Sequence, residues 1–160
     1  MIYLGSFSKT LAANLRVGFV ACESGLARQL TDLKMLVGLT SSELGERVVY
    51  RVLSEGHYRR HLERLRQRLA AIREQGAAVL EGFGFARVEG GSHGMFLWVD
   101  TGIDSIALAQ AMLDRGFLMA PGSLFSPTQA PGTRMRFNVT ALQNPKMLAA
   151  LAESIRAVGP

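Results

Sequence analysis

The sequence predicts an α/β chain made of two unlike parts, and three observations carry that reading. Two short apolar runs near the amino terminus, Met1-Ile2-Tyr3-Leu4 and Val17-Gly18-Phe19-Val20-Ala21-Cys22, have the length and composition of buried strands. Between residues 24 and 80, apolar residues recur at helical spacing in three successive stretches. From Phe83 onward, short strand-like and helical pieces alternate, the pattern of helices laid over a small sheet.

The elements follow in order. Ser24 is the expected cap of a helix over residues 24–38, with Leu26, Leu30, Leu33 and Val37 on its apolar face. Thr40-Ser41-Ser42-Glu43 supplies a cap and a first-turn acid for a second helix, because a hydroxyl accepts free N–H groups and a carboxylate favours the positive end of the helix dipole. Leu44, Val48 and Val52 are its expected buried face, and Gly56 its stop. A long helix runs from about Tyr58 to Leu80, with Leu62, Leu65, Leu69 and Ile72 on one side; Gly76 weakens it without stopping it. Phe83, Phe85 and Val88 predict a short strand, Glu89-Gly90-Gly91-Ser92 a turn, and Met95 to Val99 an inner strand. Asp104 or Ser105 opens a further helix with Ile106, Ala109 and Met112 or Leu113 inward, closed by Gly116. Phe117 to Ala120 reads as a short strand, residues 126–133 as a polar loop, and Arg134 to Thr140 as an alternating strand. Asn144-Pro145 starts the last helix, since proline is tolerated where a first-turn N–H has no partner; its stripe is Leu148, Leu151, Ile155 and Val158.

With 48% hydrophobic and 19% charged residues in 160, the composition is that of a well-packed globular chain. No apolar run is long enough to span a bilayer, and the amino terminus lacks the layout of a secretory leader. Cys22 is the only cysteine, which excludes an internal disulfide; it reads as a small buried hydrophobe. These features point to a cytoplasmic protein. The net charge of +5 gathers around Arg59, Arg60, Arg64, Arg66 and Arg68, with His57 and His61 beside them. The arginines surround the helix rather than forming one stripe, and no aromatics interleave them. A solvated or subunit-facing helix is therefore expected rather than a nucleic-acid face. His57 and His61 stand at a metal-compatible spacing, but no acidic or cysteine partner completes a site, so no metal is expected. His93 reads as a strand-edge residue and Trp98 as core.

The chemistry concentrates in Ser6-Phe7-Ser8-Lys9-Thr10 and Leu15-Arg16-Val17-Gly18. A lysine amine forms Schiff bases with carbonyl cofactors. Hydroxyls and a guanidinium beside it suit a phosphate, because arginine offers a planar fork of donors. Set between two apolar strands, Lys9 is expected to point inward, where burial lowers an amine's pKa. The segment resembles the cofactor-lysine segment of fold-type I pyridoxal-phosphate enzymes, and more narrowly that of class I/II aminotransferases. The resemblance implies that Lys9 holds pyridoxal 5'-phosphate as a Schiff base, that Ser6 and Arg16 bind its phosphate, and that Ser8 adds a hydrogen bond. Pro121-Gly122-Ser123-Leu124-Phe125 and Arg134-Met135-Arg136-Phe137-Asn138-Val139 are similar to the substrate-carboxylate segment of that family's small domain. Alternation puts Arg134 and Arg136 on one face and does not choose between them. The family pattern favours Arg136, as a bidentate grip on an α-carboxylate.

The resemblance implies the fold-type I transferase architecture. Residues 1–55 would be the C-terminal remnant of the large cofactor-binding domain, and residues 56–160 a bridging helix and the α+β small domain. Eight residues precede Lys9, so the groups that contact the cofactor ring in this family are expected upstream, in a longer protein. The implied activity is transfer of an amino group between an amino acid and a 2-oxo acid, in a homodimer. The run from Gly56 to Arg66 is also similar to a segment of MocR-type regulators of the GntR family. There an aminotransferase-like domain follows a winged helix-turn-helix and senses cofactor or an amino compound. DNA is then a partner only if such a module lies upstream. A third reading is a stable small domain without activity of its own.

Overall fold

The computed structural model describes residues 1–88 and 93–159. The turn expected over Glu89 to Ser92, with Gly90-Gly91, lies outside the described residues. The chain divides into two compact units, Met1–Leu65 and Arg66–Pro160.

In the first unit, β1 (Tyr3–Ser6) and β2 (Gly18–Ala21) pair antiparallel, with Tyr3 opposite Ala21 and Ser6 opposite Gly18. The apolar composition predicted buried strands, yet Tyr3, Leu4, Phe19 and Val20 are all exposed. A two-stranded ribbon buries side chains only where another element covers it. Helix α1 (Ser24–Gly38) follows, but Glu23 rather than Ser24 caps it: its carboxylate accepts from Gly25 N–H at 3.2 Å and Leu26 N–H at 2.7 Å. Its expected inner stripe is open, with Leu30, Leu33 and Val37 exposed. Cys22 is half-buried.

Helix α2 (Glu43–Ser54) is capped as expected, Ser42 Oγ accepting from Gly45 N–H. Its buried face is shifted by one residue, to Gly45 and Val49; Leu44 and Val48 are exposed. Gly45 explains the shift. A Cβ there would stand 3.0 Å from the Leu15 carbonyl oxygen, so the bare backbone lets the preceding loop pack against the helix. Helix α3 (His57–Gly82) runs through the boundary between the units.

The second unit is a four-stranded antiparallel sheet in the order β3–β4–β6–β5, from β3 (Ala86–Arg87), β4 (Phe96–Asp100), β5 (Ala120–Pro121) and β6 (Arg134–Asn138). Strand alternation separates its faces. Leu97 opposite Phe137 and Val99 opposite Met135 are buried and make the sheet side of the core. Ile72, Ala77 and Leu80 of α3 join them, with Leu108 and Met112 of α4 (Ser105–Leu113) and Met147 and Leu151 of α5 (Pro145–Val158). Gly76 serves the packing: a Cβ there would stand 2.9 Å from a Leu142 methyl.

Asp104 and Asn144 cap α4 and α5, each side chain accepting first-turn N–H groups. The inner face of α4 is Ser105, Leu108, Ala111 and Met112, whereas the expected Ile106 and Leu113 are about half exposed. The strand expected over residues 117–120 shortens to Ala120–Pro121. Gly116 takes a positive φ of 83°, and Phe117 N–H bonds back to the Met112 carbonyl, so Phe117 belongs to the helix stop.

Candidate functional site

The hairpin of the first unit gathers Ser6, Ser8, Lys9 and Arg16 on one loop. Ser6 ends β1 opposite Gly18, and the Phe7 N–H donates to the Val17 carbonyl at 3.0 Å, extending the ladder by one step. The Phe7 carbonyl then accepts from Thr10 N–H and Leu11 N–H at 3.2 and 2.8 Å, which turns the chain sharply. Phe7 takes the interior position. It is buried, with its ring 5.5 Å from Tyr58 and 5.8 Å from Phe19. Strand alternation ends in this turn, and Lys9, expected to point inward, is exposed.

Two contacts from the first turns of α3 hold the loop. Tyr58 donates its hydroxyl proton to Thr10 Oγ1 at 3.0 Å, and His61 Nε2 donates to the Thr10 carbonyl at 2.8 Å. Tyr58 and His61 lie far along the sequence from Thr10, so no local signal marked them. Ser6 Oγ accepts from Ser8 N–H at 3.2 Å, which leaves its own O–H free to donate. At the far end of the loop, Arg16 holds the left-handed conformation, φ 52° and ψ 37°. Arg16 and Lys9 are exposed, and neither makes an ion pair among the described residues. An amine, a hydroxyl and a guanidinium with donors to spare suit a phosphate beside an aldehyde.

Beside this loop, His57, Arg60, His61 and Arg64 follow one another at i, i+3, i+4 and i+7. They line a cleft of about 710 Å³ together with Leu11, Val52 and Glu63. Of the five clustered arginines, Arg60 and Arg64 line this cleft and Arg59, Arg66 and Arg68 do not. Both His57 nitrogens have neighbours, Arg60 at Nδ1 and Glu55 at Nε2. No group of three metal-binding side chains forms among the described residues.

In the second unit, the sheet face opposite the core carries both candidate arginines. Arg134 is exposed and faces Asp100 across the ladder. The Asp100 carboxyl is held below the usual carboxylate range by a hydrogen bond from the Thr133 side chain, then by the Gly102 N–H, with the Arg134 charge adding and burial opposing. Arg136 is half-buried, faces Trp98 across the ladder, and packs against the rings of Phe96 and Phe125. Trp98, expected in the core, is half-buried on this opposite face, because residues 97 and 99 take the inward positions.

Comparison with known proteins follows the same lines. The family model described as aminotransferase class I and II matches residues 1–155. The chain is 30% identical over 148 residues to an uncharacterized HTH-type transcriptional regulator, YdfD, of Bacillus subtilis, covering 90% of this chain and 31% of that one. It is 28% identical over 166 residues to aromatic-amino-acid aminotransferase 1 of Thermococcus litoralis, covering 98% and 39%. It thus spans between 31% and 39% of the length of these curated relatives. Among solved structures it matches the kynurenine aminotransferase of Pyrococcus horikoshii in complex with PMP, at TM-score 0.83 and 29% identity, over 98% of this chain and 40% of that one. It also matches the α-aminoadipate aminotransferase LysN of Thermus thermophilus, complexed with N-(5'-phosphopyridoxyl)-L-leucine, at TM-score 0.74 and 25% identity, over 98% and 43%.

Proposed function

The chain belongs to the class I and II aminotransferase family, and from that premise we propose that it is the C-terminal part of a pyridoxal-phosphate-dependent aminotransferase. Residues 1–55 are read as the end of the large cofactor domain and residues 56–160 as the bridging helix and small domain. The observation that carries the reading is the single hairpin that presents Lys9, Ser6 and Arg16 together. When bound, the cofactor supplies an electron sink for charge developing at the amino acid's Cα. Lys9 would hold it covalently, and its freed amine would take the proton from that Cα. Ser6 and Arg16 would anchor the phosphate, and Ser8 would add a hydrogen bond to the cofactor. Arg136 would grip the substrate carboxylate and orient the Cα–H bond. The substrates are an amino acid and a 2-oxo acid, and a cytoplasmic homodimer is the proposed assembly. No helix among the described residues is long and apolar enough to cross a membrane.

Lys9 provides the test. The chain is mixed with pyridoxal phosphate, reduced with borohydride and mapped by mass spectrometry. The added mass is expected on Lys9 and absent from Lys9→Ala. In the intact protein, Lys9→Ala is expected to lower amino-donor turnover by at least about 1000-fold, the scale of losing a covalent catalyst. Wild-type turnover in that variant sinks the assignment.

The similarity to the Bacillus subtilis regulator supports a second reading, in which the same domain senses cofactor or an amino compound for a DNA-binding module. Fold alone does not choose between them. A basic winged helix-turn-helix encoded upstream of Met1, with operator binding altered by pyridoxal phosphate, would select the regulator.

A further inference from the structure

The guanidinium of Arg136 is held by rings rather than by hydrogen bonds. Its Cζ lies 4.1 Å from the Phe96 ring centroid and 4.3 Å from that of Phe125. The rings come from opposite sides of β6: Phe96 opens β4, and Phe125 closes the 3-10 turn after β5. Trp98 meets Phe125 edge-on with centroids 5.5 Å apart. Arg73, itself buried, donates to the Phe96 carbonyl and so fixes the backbone beneath that ring. Ring faces attract a cation but leave its N–H donors unspent. The Arg136 side chain has no hydrogen-bond or ion-pair partner among the described residues. A half-buried cation in that state is a receptor held ready for an anion.

We propose that Phe96 and Phe125 are positioning residues for substrate binding: they fix the Arg136 guanidinium in place before the carboxylate arrives. The proposal rests on the reading of Arg136 as the carboxylate grip. Without the rings the arginine samples many rotamers and must be ordered at each binding event, so substrate affinity falls while the chemical step at bound substrate is unchanged.

Two measurements test it. In the intact protein, Phe96→Leu and Phe125→Leu are expected to raise KM for the amino acid about tenfold, with kcat within about twofold, and Phe125→Tyr to restore KM. Unchanged KM in both active leucine variants overturns the proposal. Independently of activity, the Arg136 Hε resonance of the 160-residue chain is expected to lie upfield through ring currents and to move to the free-arginine position in Phe125→Leu. A wild-type Hε already at the free position also overturns it. A protein that lacks transaminase activity yet shows the ring-shifted Hε, lost in Phe125→Leu, fails the aminotransferase reading and leaves the positioning role standing.

Discussion

Arg16 adopts φ 52° and ψ 37°, a conformation in which a residue with a Cβ costs about 1 kcal/mol relative to glycine. The loop keeps an arginine there although glycine would fit the backbone better. Strain at a residue whose proposed role is to bind phosphate is the expected sign of a function–stability compromise. Arg16→Gly is therefore expected to raise thermal stability by up to about 1 kcal/mol while weakening pyridoxal-phosphate binding, read by calorimetry and by cofactor absorbance. A variant less stable than wild type would mean that the arginine side chain holds the loop rather than a ligand. At this scale, the hairpin loop that carries Ser6, Lys9 and Arg16 was legible because these residues lie close together between two strand-like runs. The exposure of Lys9 was not, because it depends on which neighbour fills the interior, and Phe7 does.

At the scale of elements, boundaries and caps were largely legible: Ser42, Asp104 and Asn144 cap the helices that the sequence assigned to them. Helix faces were less so. Leu44 and Ile106 were expected inside and lie outside, whereas Gly45 and Ser105 are buried; Gly45 admits the Leu15 carbonyl, and apolar periodicity does not register small residues. Ser105 and Ser154 are fully buried, on α4 and α5, with hydroxyls that have no hydrogen-bond partner among the described residues. A buried unpaired hydroxyl costs free energy, so Ser154→Ala is expected to leave stability unchanged or raise it by about 1 kcal/mol, measured by urea unfolding. Loss of stability would show that the hydroxyl is partnered in solution. The β4–β6 ladder also carries a pH dependence. Asp100 has a folded-state pKa below its unfolded value, through Thr133 first and then Gly102 and Arg134. Its contribution is therefore fully present above about pH 4 and lost as pH falls through the lowered folded value. Asp100→Asn is expected to flatten the acid limb of the Tm–pH curve below about pH 4 and to leave its alkaline limb unchanged.

At the scale of the whole molecule, apolar surface is distributed very unevenly. Among the described residues of the first unit, Phe7 and Val49 are the buried hydrophobic side chains, while Leu36, Val37, Leu39 and Leu44 are exposed. The second unit has a continuous core that includes Leu97, Met135, Phe137 and Leu151 at 0% exposure. The sequence showed strong apolar patterns in both halves, so this asymmetry was not legible in it. Periodicity reports which face is apolar, not whether anything covers it. Each fully buried large side chain contributes about 1.5–3 kcal/mol, so the two units are expected to differ widely in local stability. Native-state hydrogen exchange on the 160-residue chain should reveal the difference. Amides of β4 and β6 are expected to exchange only through global unfolding, with a strong dependence on denaturant. Amides of β1, β2 and α1 are expected to exchange orders of magnitude faster through local opening. Phe137→Ala, which removes core volume worth about 3–5 kcal/mol, should then accelerate β4 and β6 and leave β1 and β2 nearly unaffected. Equal protection across both units in the wild type, or equal acceleration by Phe137→Ala, would mean that the chain unfolds as one cooperative body. The lysine loop and the arginine sheet would then share a single stability rather than two.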